Sequence, residues 1–159
     1  VLGYAMERPG QPPLYGEHRV AAPGVSIGRF GKLFNDWLAP MLRMHRPALV
    51  VYEAAILPGK QDMHAAERLI GLGVLAATIS EMTGIPARKA GNSEVCKFFT
   101  GHGNHGGRDD KKIAVIRECH LRGWRPQGDN AADALATLCW AQHTYGGKID
   151  SGPLFRPEP

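Results

Sequence analysis

The chain has 159 residues, a formal net charge of +4 and a hydrophobic fraction of 43%. This length suits one hydrophobic core, so we expect a single domain over residues 1–146 and an extended or disordered tail over 147–159. The modest basic charge permits a polyanionic partner without requiring one. The longest apolar stretch, Leu69 to Ile79, is far shorter than the ~20 residues of a membrane span, and no signal-peptide pattern opens the chain. We therefore expect a cytoplasmic protein without a membrane partner.

The amino-terminal segments carry the first structural signals. Two β-like pieces, Leu2 to Glu7 and Leu14 to Ala21, flank the turn-rich residues 8–13 and predict a hairpin. Ser26 is a suitable N-cap for a helix that ends before Pro47. The apolar residues of this helix recur with a period of 3.6: Phe30, Leu33, Phe34, Trp37, Leu38, Met41 and Leu42.

Strands and helices alternate along the rest of the chain. The segment from Ala48 to Tyr52 reads as a buried strand that leads into the acidic Glu53. Pro58 to Asp62 is predicted as a loop. Helices are predicted from about His64 to Met82, from Asn92 or Ser93 to Phe99, from a cap at Asp109 to Leu121, and from Asp129 to about Tyr145, with a weak strand over Ala87 to Ala90. This order predicts an α/β layered fold in which an antiparallel hairpin leads into a parallel portion.

Two aspartates head the last predicted helix. Asp129 and Asp133 are four residues apart and therefore share one helix face, where their oxygens can converge on a hard cation. With Glu53 on a strand, they suggest a magnesium-dependent nuclease centre. Each also has a structural explanation. Asp129 or Asn130 suits a helix N-cap, Asp133 interacts favourably with the helix dipole, and Glu53 can simply mark a strand end.

Cysteine and histidine patterns favour structural roles. Cys96, Cys119 and Cys139 form an odd set without C-x-x-C spacing and lie among apolar residues, which is typical of buried thiols in a reducing compartment. His102 and His105 lack cysteine or carboxylate partners at finger spacing, which argues against zinc.

Composition alone does not decide the role of two segments, one rich in glycine and the other rich in small residues. Gly101 to Gly107 contains four glycines and is predicted to be too flexible for regular structure without a ligand. Small residues stud the helix from His64 to Met82, and they favour either ordinary packing on the sheet or a dimer contact: Ala65, Ala66, Gly71, Gly73, Ala76 and Ala77.

Several segments together resemble a known family. VVYEAA, ERLIGLG, GIPARKAGNSEVCKFFTG, DDKKIAVIRECHLRGW and DNAADALATLCWA occur in the order found in RuvC-type Holliday junction resolvases, most like the phage and prophage branch. The resemblance covers residues 48–145. It implies a ribonuclease H-like three-layer fold, with a mixed central sheet flanked by helices. It also implies a homodimer in which each subunit nicks one strand of a four-way DNA junction, using two divalent ions per active site.

The resemblance assigns metal-binding roles by position. Glu53 is similar to the family's strand glutamate and Asp133 to its final metal-binding aspartate. The remaining helix position, usually acidic or histidine, falls on Asn130, so Asp129 is the expected substitute from one residue earlier. An oxygen-only ligand set implies Mg²⁺, with Mn²⁺ also possible.

The resemblance also implies a DNA-binding surface. Lys111 and Lys112 match a family lysine region near DNA phosphate, and Lys97 and Arg108 extend it, together with Arg88 and Lys89. Solvated helix faces would give the same pattern. The alternative role for Phe98 and Phe99 is to act as wedges at a junction, but their apolar helix favours core packing.

One expected residue of the family pattern is missing. The family's first catalytic aspartate lies on an opening strand just before a segment similar to Gly3-Tyr4-Ala5, whereas this sequence starts at Val1 and Asp36 is expected at the surface of a helix. We expect an incomplete amino terminus rather than a degenerate relative. The alternatives to a junction endonuclease are a catalytically silent junction-binding module and a ribonuclease H-type hybrid nuclease.

Overall fold

A computed structural model describes residues 1–56, 63–103 and 105–146, with the Arg108 side chain left out. The predicted loop from Pro58 to Asp62 and the predicted tail over 147–159 lie outside these residues. Strands and helices alternate, which confirms the α/β class. The elements are β1 (Leu2–Arg8), β2 (Gln11–His18), α1 (Ile27–His45), β3 (Val50–Glu53), α2 (Met63–Met82), β4 (Ala87–Ala90), α3 (Asn92–Thr100), α4 (Arg108–Leu121) and α5 (Asp129–Tyr145).

Strands β1 and β2 form the predicted antiparallel hairpin. Arg8 pairs with Gln11 across a two-residue turn, and Gly10 has the positive φ of 70° that such a turn favours. Because the turn is this short, β2 begins at Gln11 and ends at His18, so both ends lie three residues earlier than those of the predicted strand from Leu14 to Ala21. The Arg8 guanidinium donates a hydrogen bond to the carbonyl of Pro12 at 2.8 Å and stabilises the turn.

The described residues divide into two compact units. One contains residues 1–23 and 90–143, and the other contains residues 24–89 and 144–146. Described strands pair as β1 with β2 and as β3 with β4. No helix within the described ranges is long and apolar enough to cross a membrane.

Helix α1 of the second unit follows its prediction closely. The Ser26 hydroxyl accepts a hydrogen bond from the Arg29 amide at 3.4 Å and caps the first turn. At the other end, Arg46 adopts the left-handed conformation and donates its amide to the Leu42 carbonyl. The buried side is formed by Phe30, Phe34, Leu38, Ala39 and Leu42. Asp36 lies on the outer side and pairs with Lys32 at 2.6 Å, as expected for a surface residue.

Strand β3 is shorter and less buried than predicted. It spans four residues, all half-buried, and Glu53 is its last residue. The Val50 amide donates to the Pro86 carbonyl at 2.9 Å, which joins β3 to the segment before β4. Gly73 of α2 faces the Tyr52 ring so closely that a Cβ would lie 3.2 Å from it. Close packing on the strand therefore explains this small residue of α2.

Helices α3, α4 and α5 supply most of the buried apolar residues of the first unit. Val115, Cys119 and Leu135 are among the most completely buried side chains. The prediction that Asp109 caps α4 is wrong, because Gly107 is the cap residue and Asp109 lies in the first turn. A carboxylate there still interacts favourably with the helix dipole.

Candidate functional site

The head of α5 is placed by close backbone packing. Ala131, Ala132 and Leu135 are almost fully buried and anchor one side of the helix. Gly3 of β1 approaches this end so closely that a Cβ would overlap the backbone carbonyl of Asn130. The helix head is therefore fixed in position, and it carries the half-buried Asp133.

Asp129 forms an ion pair with Lys112. The Lys112 Nζ lies 2.5 Å from Asp129 Oδ2, and both side chains are about one-third exposed, at 35% and 37%. The hydrogen bond from Lys112 lowers the pKa of Asp129, and the backbone amides at the helix start act in the same direction. Asp129 is thus an ionised carboxylate that already has a cationic partner.

Asp133 lies in a different electrostatic setting. Burial raises the pKa of this carboxyl group, and the negative charge of Asp129 raises it further. The nearby cationic groups of Lys111 and Lys112 act in the opposite direction. A desolvated carboxylate with a raised pKa gains more than an exposed one from a cation placed beside it, which makes Asp133 the better ligand candidate of the two aspartates.

Asn130 contacts a carboxylate that sequence reasoning missed. Its Nδ2 donates to Glu17 Oε1 at 3.3 Å, although the two residues are 113 positions apart. A Cβ at Gly128 would collide with the Glu17 carboxylate, so the glycine makes room for it. Glu17 lies next to the end of β2. The sequence signal, an acidic residue near the end of a strand, is the same one that pointed to Glu53.

Glu53 belongs to the second unit. It is half-buried at the end of β3, as the sequence predicted. Asp129, Asp133, Lys97, Lys111 and Lys112 all belong to the first unit.

The lysines of the first unit lie on two helices. Lys97 is exposed in the last turn of α3, and its aliphatic stem lies against Gly103. Lys111 and Lys112 are half-buried in the first turns of α4. Arg108 begins this helix, but its side chain lies outside the described residues. The lysine pair therefore faces the two aspartates of α5, and Lys97 is presented to solvent.

Two solved structures of RuvC resemble this chain in fold. Thermus thermophilus RuvC in complex with a Holliday junction substrate matches 91% of this chain and 87% of its own, with a TM-score of 0.65 and 18% identity. A second structure of Thermus thermophilus RuvC matches 89% of this chain and 86% of its own, with a TM-score of 0.61 and 15% identity. The chain has the RuvC fold. No family model and no curated protein matches its sequence.

In this RuvC-like fold, the adjacent Phe98 and Phe99 of α3 differ in how far they are exposed to solvent. Phe99 is 2% exposed, as predicted for core packing, and the Arg122 guanidinium lies 4.3 Å from its ring centre. Phe98 is 40% exposed, so the expectation of core packing is wrong for it. It stacks on His143 with ring centres 4.7 Å apart, because its position on α3 faces the last turn of α5.

The glycine-rich segment after α3 forms no helix or strand in residues 101–103 and 105–107, and two of its histidines contact the end of α3. The His105 Nε2 lies 2.8 Å from the His102 carbonyl and 3.0 Å from the Thr100 hydroxyl. The same hydroxyl lies 2.8 Å from the Cys96 carbonyl, so it links the segment to α3. Because a carbonyl only accepts, His105 carries its proton on Nε2. These contacts join His102 and His105 to Thr100 at the end of α3.

The three cysteines are free thiols. Cys96 and Cys119 are buried and Cys139 is half-buried. Burial raises the pKa of Cys119 to about 11 and raises that of Cys139 as well. Protonated thiols of this kind are poor nucleophiles, which agrees with the predicted structural role.

The donor set for a divalent ion is made of oxygens. Within residues 1–56, 63–103 and 105–146, no group of three His, Cys, Asp or Glu side chains is placed so that it could hold a metal ion. Asp133 and the amide oxygen of Asn130 are three residues apart on α5 and share a face. Carboxylate and amide oxygens are the kind of ligand that Mg²⁺ and Mn²⁺ take, but these two groups beside the cationic Lys111 and Lys112 do not by themselves make up an ion site.

Proposed function

We propose that this protein is a structure-selective endonuclease that cleaves four-way DNA junctions, of the phage or prophage kind of RuvC-type resolvase. The observation that carries the proposal is the RuvC fold, matched over 91% of the chain to a RuvC in complex with a Holliday junction substrate. It is supported by the head of α5, where the desolvated Asp133 lies beside two lysines. Fold alone does not determine function, so the chemistry of this helix is the second support.

The proposed metal ligands are carboxylates on rigid elements. Asp133 lies on α5, and Glu53 lies at the end of β3. Asp129 is the third candidate, and it must exchange Lys112 for the ion before it can act as a ligand. Two Mg²⁺ ions, or Mn²⁺, would supply an activated water and stabilise the charge that develops on the departing oxygen.

The proposed DNA contacts come from Lys97, Arg108, Lys111 and Lys112. Lys97 is exposed and therefore accessible to a phosphate group. Lys111 and Lys112 lie close to Asp133, so a phosphate bound by them would lie near that carboxylate. Such contacts neutralise phosphate charge and position the backbone without reading sequence.

We also propose that the protein acts as a homodimer through α2. This helix exposes large apolar side chains, including Ile70 at 49% and Val74 at 61% exposed, which are one turn apart. Gly71, between them, has open space around its Cα. Apolar residues in this arrangement favour a protein interface. A second copy is the proposed occupant because a four-way junction presents two equivalent strands for cleavage.

A cleavage assay tests the proposed activity. The full natural polypeptide is incubated with Mg²⁺ and three labelled substrates: a four-way junction, a linear duplex and an RNA–DNA hybrid. We expect symmetric nicks in the junction only. Cutting of the hybrid but not of the junction would instead identify a ribonuclease H-type nuclease.

A second candidate function is a catalytically silent junction-binding module. The Lys112–Asp129 ion pair favours it, because that carboxylate already has a cation. This candidate predicts salt-sensitive binding of the four-way junction with no nicking at any Mg²⁺ or Mn²⁺ concentration. Metal-stimulated nicking would exclude it.

A further inference from the structure

We propose that a cavity along β2 binds an unpaired guanine of the DNA junction, and that Glu17 recognises this base. The inference rests on the proposed function, because it assigns a base preference to the same junction-binding protein. Binding in this cavity requires neither a metal ion nor the two aspartates of α5.

The cavity lies within the first unit and has a volume of about 410 Å³. The residues that line it are Tyr4, Tyr15, Gly16, Glu17, Arg125 and Gln127. Pockets for small ligands mostly measure between about 300 and 1,000 Å³, so the space is sufficient for a nucleoside. Five of the six lining residues have polar side chains, which suits a ligand with hydrogen-bonding edges.

Glu17 connects the cavity to the helix that carries the proposed nuclease residues. Its Oε1 accepts a hydrogen bond from Asn130 Nδ2 at 3.3 Å, and Asn130 is the second residue of α5. A Cβ at Gly128 would collide with the Glu17 carboxylate, so this glycine makes room for it beside the helix start. A base bound by Glu17 therefore lies close to the head of α5.

Two tyrosines form part of the cavity wall. Tyr4 lies opposite Gly16 in the hairpin, where a Cβ would be 2.9 Å from the Tyr4 hydroxyl, so the glycine leaves room for the ring. The Tyr15 hydroxyl accepts a hydrogen bond from the Arg125 main-chain amide at 2.9 Å. That bond uses an acceptor site of the hydroxyl, and its hydrogen is left to donate. Aromatic rings also provide a surface on which a base stacks.

The Arg125 side chain adds a positive charge to the same cavity. Its Nη1 donates to the carbonyl oxygens of His120 at 3.2 Å and Trp124 at 2.9 Å. Both acceptors are neutral, so they hold the guanidinium in place without cancelling its charge. The cavity thus combines a carboxylate that accepts hydrogen bonds with a guanidinium and a hydroxyl that donate them.

Guanine is the base whose unpaired edge complements these groups. Its N1–H and N2–H are adjacent donors that one carboxylate accepts side by side, and its O6 accepts from a donor such as the Tyr15 hydroxyl. A carboxylate has about four acceptor sites, so Glu17 can bind the base and keep Asn130. Thymine has a carbonyl on each side of its single donor, and a carboxylate repels both. Pairing occupies the same edge of guanine in a duplex, so the base must be unpaired.

Junctions with altered guanines test the inference. Binding to the full natural polypeptide is measured by fluorescence anisotropy in EDTA, so that no strand is cut. Guanines at the branch point are replaced by inosine, which lacks the N2 amino group, or by 7-deazaguanine, which lacks only N7. Inosine should weaken binding about 5-fold, and 7-deazaguanine should bind like guanine. Inosine also pairs more weakly with cytosine, so easier unpairing alone would tighten binding rather than weaken it.

Two variants and a matched control assign the effect to the cavity. In Glu17→Gln, one amide oxygen replaces the carboxylate, so the difference between guanine and inosine should be lost. Gly16→Ala should reduce it too, because the new Cβ displaces the Tyr4 ring. Glu7→Gln removes the same charge from an exposed position of β1 and should keep the full difference. Glu17 is exposed, so Glu17→Gln should keep its thermal midpoint within a few degrees of the unaltered protein.

A free guanine nucleotide presents the same edge, and competition distinguishes it from DNA. The nucleotide dGMP is added to the complex of protein and labelled junction. We expect no displacement at dGMP concentrations equal to that of the junction, because the free nucleotide lacks the phosphate contacts of the DNA. Displacement by dGMP but not by deoxyinosine monophosphate would make the free nucleotide the ligand and overturn the assignment to DNA.

Mg²⁺-dependent nicking of the same junctions separates this inference from the proposed function. Equal binding of guanine and inosine junctions by the unaltered protein, or an equal loss with 7-deazaguanine, would overturn the guanine site. Nicking together with either result would leave the endonuclease intact. A guanine preference that disappears in Glu17→Gln, without nicking, would support the site and remove the endonuclease. Failure to bind any junction would overturn both.

Discussion

Lys112 Nζ lies 2.5 Å from Asp129 Oδ2, and this pair joins two residues that the sequence assigns to different tasks. The resemblance gives Lys112 a phosphate to bind and Asp129 a metal ion. In the structure, Lys112 and Asp129 form an ion pair with each other, and Asp133 lies near both. Either ligand, phosphate or ion, must therefore separate the pair. This relationship predicts that metal binding and DNA binding are coupled at the head of α5.

Loss of the lysine should change the titration of its partner. In Lys112→Met, the pKa of Asp129 should rise, because the hydrogen bond that lowers it is gone. Carboxyl carbon shifts in a pH titration report the value directly. Lys32→Met is the matched control, since it removes an exposed lysine that pairs with Asp36 on α1. An unchanged Asp129 titration in Lys112→Met would show that the ion pair does not form in solution.

The same pair gives a pH dependence of stability. The pKa of Asp129 is lowered in the folded protein, so the pair stabilises the folded state above the unfolded-state pKa and loses this effect as the pH falls through the folded value. Both side chains are slightly more than one-third exposed, at 35% and 37%. Because solvent screens the pair, its contribution to the free energy of unfolding should be at most ~1 kcal/mol. Urea unfolding of Lys112→Met and the unaltered protein should differ at pH 7 and converge in acid. A difference that persists in acid would place the effect elsewhere.

The sequence predicts local structure well where one periodic pattern governs a segment. Helix α1 was predicted because its apolar residues recur at helical spacing and Ser26 caps it, and both features are local. The ends of β2 were missed because two residues suffice for the turn at Gly10. The Asp109 cap was wrong because Gly107, with its extended backbone, takes that position.

For the candidate site residues too, local features could be predicted from the sequence and contacts between separate elements could not. The positions of Asp129 and Asp133 at the head of α5 follow from their spacing. The Lys112–Asp129 pair and the Glu17–Asn130 contact depend on how separate elements pack, and no local pattern encodes that. The exposure of Phe98 has the same origin, since its partner His143 lies on another helix.

Asp133 should show opposite effects on stability and activity. Burial raises the pKa of this carboxyl group, so its ionised form opposes folding at neutral pH. Asp133→Asn should abolish metal-dependent junction cutting, spare junction binding and raise the thermal midpoint by about 2–4 °C. Glu53→Gln should also abolish cutting. Asp36→Asn, at an exposed position on α1, is the control that should keep full activity. Full cutting by Asp133→Asn would remove it from the site.

The lysines should contribute to junction binding through salt-dependent contacts. Lys97→Ala and Lys111→Ala should each weaken binding to a four-way junction and reduce the slope of log affinity against log salt by about 1. Lys97 is exposed, so its loss should leave stability unchanged. Lys32→Ala removes the same charge from α1 and serves as the control. Equal slopes for all three variants would mean that the DNA lies elsewhere.

The apolar face of α2 should govern the oligomeric state. Val74→Glu places a charge at a side chain that is 61% exposed, so a monomer should tolerate it. In a dimer it buries an unpaired charge and should shift the protein to monomer, as measured by analytical ultracentrifugation. Met82→Glu alters a residue that is 79% exposed at the end of the same helix and is the control. A Val74→Glu protein with the same mass as the unaltered one would contradict the proposed interface.

Gly3 should be intolerant of a side chain because of its place against α5. A Cβ there would overlap the Asn130 carbonyl, and backbone cannot move aside as a flexible side chain can. Gly3→Ala should lower the free energy of unfolding by about 1–3 kcal/mol and reduce Mn²⁺ affinity, because the helix head that carries Asp133 must shift. Gly28→Ala is the contrasting change, since no atom lies within 4 Å of a Cβ at this position in α1. Alanine there should stabilise the protein by roughly 0.5–1 kcal/mol. Urea unfolding and Mn²⁺ titration measure both effects, and a Gly3→Ala protein as stable as the unaltered one would show that β1 does not pack on the head of α5.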